Sequence, residues 1–146
     1  MKPENVIAAS GASRSSLAAD KKHERKLQLT LEAGYPGSAV VLHCQGRLIS
    51  HGEARALSTI VADVLPASRR MVLDLAGVES IDSGGLGELV LIHMWAEAAG
   101  YTLRFASHRK SLRHLFEITN LVSVFDLHGS VPEAVAAMVQ EEVHTA

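Results

Sequence analysis

An acid, a hydroxyl and two glycines, Asp-Ser-Gly-Gly at residues 82–85, form the segment whose residue types could perform chemistry. A serine becomes a nucleophile when a histidine lies within hydrogen-bond reach. His93 is ten residues beyond Ser83, which is about 15 Å along a helix, so these residues and Asp82 cannot form a triad. The Gly-x-Ser-x-Gly pattern of hydrolases is also absent because Ile81 takes its first glycine position. We therefore expect no enzyme activity.

Glycines between a strand and a helix can also hold a phosphate group. Residues 85–87, Gly-Leu-Gly, begin a dinucleotide fingerprint, but Val90 replaces its third glycine and the chain contains no Gly-Lys-Ser/Thr sequence. The eight histidines are scattered and form no His-x-x-x-His pair, and the neighbours His43 and Cys44 point to opposite faces of a strand. The residues predict neither a cofactor nor a metal site.

Ser83 stands where a strand-like run gives way to a helix-like run, so its hydroxyl lies at a predicted helix N-terminus. One interpretation is a helix cap, because a serine oxygen accepts hydrogen bonds from backbone N–H groups that the helix leaves unsatisfied. The other interpretation is a phosphorylation switch, because a phosphate adds about −1.5 to −2 charges where the helix dipole and free N–H groups can hold it. The residues alone leave both interpretations open.

The elements around this segment alternate between strands and helices. Apolar residues alternate or form short runs in five segments and recur at helical spacing in four. The predicted strands are 27–32, 39–45, 71–76, 101–106 and 122–127, and the predicted helices are 53–65, 84–99, 109–119 and 131–143. We expect a hairpin of the first two strands, parallel later strands, and chain breaks at Pro66 and Gly77. This order predicts an α/β fold.

Charge and composition describe the setting of these elements. The formal net charge is −2, which gives no reason to expect a nucleic acid as partner. Residues 1–26 carry six basic and three acidic side chains with little apolar periodicity, so we expect a basic, flexible tail before one domain at 27–143. The apolar run 89–92 is far shorter than the ~20 residues of a bilayer span. With Cys44 as the one cysteine, we expect a soluble cytoplasmic protein without membrane insertion.

The predicted helix 84–99 is apolar on almost every side. Only Glu88, His93 and Glu97 are clearly polar positions within it. One face is expected to pack on the sheet, which leaves another face for a partner. Trp95 is either an anchor of that interface or a core residue, because aromatic residues are common in both places.

Four landmarks in the sequence resemble one known family. They are Gly-Arg-Leu at 46–48, the segment 73–87 that ends in Ile-Asp-Ser-Gly-Gly-Leu-Gly, Gly100 before a strand, and Leu-Phe-Glu-Ile-Thr-Asn-Leu at 115–121. Together they resemble the STAS domain of bacterial anti-sigma factor antagonists, and the resemblance covers residues 27–143. The Asp-Ser-x-Gly-Leu-Gly segment after a strand is its most specific part.

The resemblance implies a mixed central sheet of about five strands with about four helices packed on it. It also implies that the chain binds an anti-sigma factor serine kinase, that this kinase phosphorylates Ser83, and that a phosphatase reverses the reaction. The partner-binding residues implied in this way are Asp82, Ser83, Gly84, Gly85, Leu86, Glu88, Ile49 and His51. In this interpretation the two glycines give another protein's active site room to approach Ser83.

Two departures from the family pattern keep other functions open. Gly84 stands where many relatives carry a second hydroxyl, and Ile49 stands where many carry an aspartate. One alternative is a STAS subunit of a stress-signalling or lipid- or anion-transport complex that is never phosphorylated. Another alternative is a sensor of a nucleotide or other small ligand. The sequence leaves the oligomeric state open between monomer and dimer.

Overall fold

The structure is a computed structural model, and it describes residues 6–9, 26–49 and 53–145. Strands and helices alternate along most of this length. The strands are β1 (Val6–Ala9), β2 (Gln28–Glu32), β3 (Val40–Leu48), β4 (Arg70–Ile81), β5 (Thr102–Ala106) and β6 (Leu127–His128). The helices are α1 (Glu53–Ser68), α2 (Ser83–Ala99), α3 (Lys110–Ile118) and α4 (Val131–Thr145).

The strands form one mixed sheet in the order β1-β2-β3-β4-β5-β6. The β1-β2 and β2-β3 pairs are antiparallel, and the remaining three pairs are parallel. The predictions of a mixed α/β sheet, of a hairpin from the first two predicted strands and of parallel later strands are therefore confirmed. β1 is an additional strand in the segment that was expected to be a flexible tail, whereas residues 1–5 and 10–25 of that tail lie outside the described residues.

Apolar side chains cover both faces of the central strands, as parallel strands require. One face carries the larger core, where Leu42, Leu73 and Phe105 pack under α1, α2 and α3. On the other face, Val41 and Val72 belong to a smaller core under α4. The helices thus form a layer on each side of the sheet.

Strand β4 is twice as long as the apolar run that predicted it, because Gly77 continues the strand instead of ending it. A Cβ atom at Gly77 would lie 2.7 Å from Gln45 Cγ and 2.9 Å from the carbonyl oxygen of Cys44. The glycine therefore lets β3 approach closely. The pairing with β3 shifts by one residue between His43 and Gln45 and again after Gly46, so β4 contains two more residues than β3 over this stretch.

Two other predicted boundaries are wrong. Pro66 lies inside α1, which ends only where Arg69 adopts a left-handed φ of 68°. A proline so close to the C-terminus removes a single helical hydrogen bond, and the rest of the helix is unaffected. The predicted strand 122–127 is a turn followed by the two-residue β6, because the backbone N–H groups of residues 121 and 122 bond to the carbonyl of Phe116 at the end of α3.

Candidate functional site

The site is built where β4 ends and α2 begins. Asp82 is extended at φ −98° and ψ −179°, and its Oδ1 accepts a 2.7 Å hydrogen bond from the backbone N–H of Gly85. Asp82 is therefore the helix cap, and the interpretation of Ser83 as the cap is wrong. Either residue type can cap a helix, so the sequence did not distinguish them. Ser83 is the first helical residue, and its side chain is exposed.

The glycines beside Ser83 have different roles. Gly85 is buried, and a Cβ atom there would lie 2.1 Å from the carbonyl oxygen of Leu48. Its small size is needed for α2 to pack against the end of β3, so the interpretation of Gly85 as clearance for a partner is wrong. Gly84 is half-buried, and Gly87 is exposed with no atom within 4 Å of a Cβ placed on it. Clearance remains a prediction for Gly84.

Ile49 lies at the same edge of the sheet as the start of α2. Leu48 and Ile81 are register partners in the parallel β3-β4 pair, so the next residue of each strand leaves the sheet at the same level. The N–H of Asp82 also bonds to the carbonyl oxygen of Leu48 at 3.4 Å. The structure thus brings half-buried Ile49 together with residues 82–85, and the predicted partner residue His51 lies outside the described residues.

Leu86 and Glu88 are tied into the domain. Leu86 is partly buried and packs against the larger core. A carboxylate oxygen of Glu88 accepts a hydrogen bond from the hydroxyl of Ser58 on α1, which joins the two helices. The structure therefore gives each of these predicted partner residues a role inside the domain.

The outer face of α2 continues from Ser83 as an exposed apolar surface. Leu91 is 61 % exposed, Met94 57 % and Trp95 38 %. Residues three or four apart lie on one side of a helix, so Ser83, Gly87 and Leu91 follow one another along this face. Trp95 packs its ring against Tyr101 at 5.5 Å between centroids but keeps its outer side in solvent. It is therefore a surface residue and not a core residue.

A comparison with protein-family models matches residues 31–134 to the STAS domain. This range includes the whole segment around Ser83 and most of the described sheet. The chain belongs to the STAS domain family. The resemblance seen in the sequence is therefore confirmed.

Solved structures with this fold include proteins of different biological settings. An anti-sigma factor antagonist from Mycobacterium paratuberculosis is 23% identical with a TM-score of 0.65, and the match covers 76% of this chain and 92% of that one. SpoIIAA, a Bacillus cell fate determinant solved in its phosphorylated form, is 16% identical with a TM-score of 0.56, over 77% and 98%. A sulfate transporter family protein from Wolinella succinogenes is 16% identical with a TM-score of 0.63, over 71% and 87%. At these identities the likeness is one of fold.

The opposite face of the STAS sheet holds a charged cluster that sequence reasoning missed. His43 Nδ1 lies 2.7 Å from Asp74 Oδ2, and His43 Nε2 lies 2.8 Å from Glu32 Oε1. Tyr35 donates a further 3.0 Å hydrogen bond to Glu32 Oε1. The alternation of side chains along a strand predicts that His43 and Cys44 point to opposite faces of the sheet. Cys44 is buried in the larger core, and His43 is half-buried on the other face. The parallel register with β4, which the sequence does not specify, brings Asp74 beside His43.

These contacts change the pKa values of the cluster. The hydrogen bond with Asp74, with help from Glu32, raises the pKa of His43 against the opposing effect of burial. Burial alone would raise the pKa of Asp74, but the hydrogen bonds from His43 and from the N–H of Ala76 outweigh it and lower that pKa. The hydrogen bonds from His43 and Tyr35 lower the pKa of Glu32. The cluster therefore favours a charged imidazolium between two carboxylates.

Two findings apply only to the part of the chain that the structure describes. Within residues 6–9, 26–49 and 53–145, no group of three or more His, Cys, Asp or Glu side chains is arranged to hold a metal ion. None of the helices in those residues combines the length and the apolar character needed to cross a membrane.

Proposed function

We propose that this STAS domain is an anti-sigma factor antagonist whose binding to an anti-sigma factor serine kinase is controlled by phosphorylation of Ser83. The observation that carries the proposal is the cap at Asp82. Because the Asp82 carboxylate accepts the capping bond from Gly85, the Ser83 hydroxyl is not needed for capping and is exposed at the first helical position.

The surface around Ser83 supports binding to a protein. Exposed Leu91 and Met94 lie on the face of α2 that begins at Ser83, and apolar side chains of this kind form the centre of protein interfaces. Ile49 adds a second loop at the same edge of the sheet. Exposed Glu97 on the same helix would favour a basic group on the partner.

Phosphorylation can act as a switch here without refolding the domain. The phosphate would stand at the positive end of the α2 dipole, which favours an anion. In a complex, the same phosphate would be placed against a desolvated apolar face, which disfavours it. A loss of only about 1.4 kcal/mol of binding free energy already lowers affinity tenfold. A phosphatase would then restore binding. We expect both the phosphorylation and its reversal to take place in the cytoplasm.

The proposal is tested by mass spectrometry of the intact protein. We expect one added phosphate after incubation with the cognate serine kinase and ATP, and none in Ser83→Ala. Ser80→Ala is a matched control because Ser80 is also an exposed serine, three residues earlier on β4. A phosphate that persists in Ser83→Ala, or the absence of phosphorylation by every serine kinase of this type from the source genome, would rule the switch out.

A second candidate is a STAS subunit of an assembly that is never phosphorylated. It is supported by the shared fold with the sulfate transporter family protein and by Gly84, which removes a second hydroxyl. The two candidates differ in the effect of a fixed charge at Ser83. Ser83→Asp should weaken partner binding about tenfold or more if the site is a switch, and should leave it unchanged if the chain is a constitutive subunit.

A further inference from the structure

A pocket of about 350 Å³ opens on the sheet face opposite the larger core, where α4 begins. Its walls come from the middle of β4, where the pairing with β5 ends, from the residues that follow β5 and β6, and from the first residue of α4. The lining residues that matter here are Asp74, Ala76, Ser107, His108, Gly129 and Val131. Crevices at the carboxyl ends of parallel strands are where open α/β sheets bind small molecules. The volume lies within the range of ligand pockets, near its lower limit.

The Asp74 carboxylate is the charged group fixed inside this pocket. Its Oδ2 accepts from His43 at 2.7 Å and its Oδ1 accepts from the N–H of Ala76 at 3.1 Å. These two bonds hold the carboxylate in one orientation. Each oxygen can accept a second hydrogen bond, and the side chain is 20 % exposed. Asp74 is therefore a preorganised acceptor.

The carboxylates next to Asp74 favour a cation, although exposed His108 in the pocket wall also contributes to the lowered pKa of Asp74. Both ring nitrogens of His43 face carboxylate oxygens, which can only accept when ionised, so both nitrogens donate and the ring carries one positive charge. That single charge is shared between Asp74 and Glu32, which leaves an excess negative charge beside the pocket. Glu133 adds another carboxylate, whose Oε1 accepts from the N–H of Gly129 in the pocket wall.

The start of α4 does not attract an anion into the pocket. The hydroxyl of Ser130 accepts from the N–H of Glu133 at 3.3 Å, so the cap predicted from the sequence is formed. Pro132 has no N–H to donate. The backbone N–H of Glu133 is thus already bonded, and Pro132 supplies none. Since the first turn also carries the acidic side chain of Glu133, this end of the helix is a poor binding site for phosphate.

We propose that this pocket binds a small organic cation, with the ammonium or guanidinium group of the ligand donating to Asp74. The site lies on the other face of the sheet from the α2 surface, so it is independent of phosphorylation at Ser83. A guanidinium or ammonium group supplies several donors and no acceptor, which complements a carboxylate that is already held by two donors. Ala76, Val131 and Ala106, which also lines the pocket, would contact the aliphatic part of such a ligand.

The test is a titration of the full chain followed by NMR of backbone amides. Agmatine and ethanolamine are the cationic probes, myo-inositol is a neutral probe, and inorganic phosphate is the anionic probe. We expect saturable shifts at the amides of Ala76, Ser107 and Gly129 with at least one cationic probe, and none with phosphate. Asp74→Asn should weaken this binding about tenfold or more, as expected for the loss of a charge-assisted hydrogen bond.

Two further variants keep the test decisive if Asp74→Asn unfolds. Ala76→Leu fills the pocket while its backbone N–H remains, and it should abolish the shifts. Asp63→Asn removes an exposed carboxylate on α1 and should leave them unchanged. The proposal is overturned by the absence of saturable shifts with both cationic probes, by binding of phosphate or inositol in their place, or by equal losses in Asp63→Asn. None of these outcomes bears on phosphorylation of Ser83.

Discussion

Of the two polar residues at the start of α2, Asp82 forms the helix cap and Ser83 does not. The carboxylate accepts the hydrogen bond that begins α2, and the hydroxyl next to it stays exposed. Both residue types are good caps, and a helix boundary read from a sequence is uncertain by a residue or two, so the pattern could locate the hydroxyl but could not assign it a task. Observing the cap therefore removes the main structural explanation for a serine at this position.

The role of Gly85 depends on a contact that no sequence pattern contains. The constraint comes from a backbone carbonyl of β3, 37 residues away from Gly85 in the sequence. His43 and Asp74 are a similar case, because they meet only through the register of β3 and β4. Sequence patterns describe local periodicity, whereas these residues are paired by tertiary structure.

The His43 bridge should make stability depend on pH. A raised pKa means that folding favours the protonated ring, so its stabilisation is complete below the unfolded pKa of 6.5 and is lost as pH rises through the folded value. Glu32 and Asp74 have lowered pKa values, so their stabilisation is complete above their unfolded values of 4.5 and 3.8. The bridge is therefore fully effective between about pH 4.5 and 6.5.

Urea denaturation of His43→Gln at pH 6 and pH 9 measures this effect. We expect the variant to lose about 1 kcal/mol or more at pH 6, because two hydrogen bonds between charged groups are removed. The loss should be smaller at pH 9, because the wild-type ring gives up its proton as pH rises through its raised pKa. His114→Gln is the control, since His114 is exposed and lies 3.9 Å from Glu117. An equal loss at both pH values would contradict a charged bridge.

Among the elements, the long apolar and alternating segments were predicted best. The hairpin of β2 and β3, the strand before Ser83 and all four helices were expected at nearly their observed places. β1 could not be predicted, because its four apolar residues, Val6–Ala9, are too few to show the alternation of a strand. The last strand was misplaced because Val122 and Val124 alternate as in a strand, although both are exposed in a turn and only Phe125 is buried.

The contact between α2 and β3 predicts opposite effects for two glycines of one helix. Gly85→Ala would place a Cβ atom 2.1 Å from the carbonyl oxygen of Leu48, so the helix must move. We expect a loss of about 1–3 kcal/mol in the free energy of unfolding, as for an overpacked core. Gly87→Ala meets no atom within 4 Å and should stabilise the helix by up to about 1 kcal/mol.

Chemical denaturation of both variants would measure this contrast. Because both substitutions add the same methyl group to the same helix, any general effect of alanine on α2 is shared between them. Equal changes in stability for Gly85→Ala and Gly87→Ala would show that the close approach to Leu48 does not govern this position.

In the molecule as a whole, the sheet lies between the exposed face of α2 and the pocket at Asp74. The α2 face with Ser83 lies with the larger core on one side, and the pocket at Asp74 lies near α4 on the other. The general architecture of these layers could be predicted from the alternation of elements and from the family resemblance. The pocket could not be predicted, because it is formed by the middle of β4, the ends of β5 and β6 and the start of α4, which are distant in sequence.

Because the outer face of α2 is exposed, we expect that binding of the proposed partner can be weakened without unfolding the domain. Leu91 is 61 % exposed, so Leu91→Glu should change stability by no more than about 0.5 kcal/mol. A charge in the centre of an apolar interface should weaken kinase binding about tenfold or more. Calorimetry with the kinase and thermal unfolding of the free variant measure the two quantities.

Ile118→Glu is the matched control for that variant. Ile118 is 66 % exposed at the end of α3, outside the α2 face. Kinase binding that is weakened equally by both variants would place the interface elsewhere or indicate a general effect of added negative charge. Binding that survives Leu91→Glu would exclude the centre of α2 from the interface.

The two additional residues in β4 limit which insertions and deletions the segment before Ser83 can accept. From His43 to Leu48, β3 advances by five residues, whereas β4 advances by seven from Asp74 to Ile81. The two strands nevertheless end at the same level of the sheet, because Leu48 and Ile81 are register partners. Removing both additional residues would draw Ser83 back by up to about 7 Å relative to Ile49. The number of residues between Asp74 and Ser83 therefore determines whether the proposed phosphorylation site and the loop that begins at Ile49 can contact one partner together. Sequence changes within this segment should be tolerated more readily than insertions or deletions.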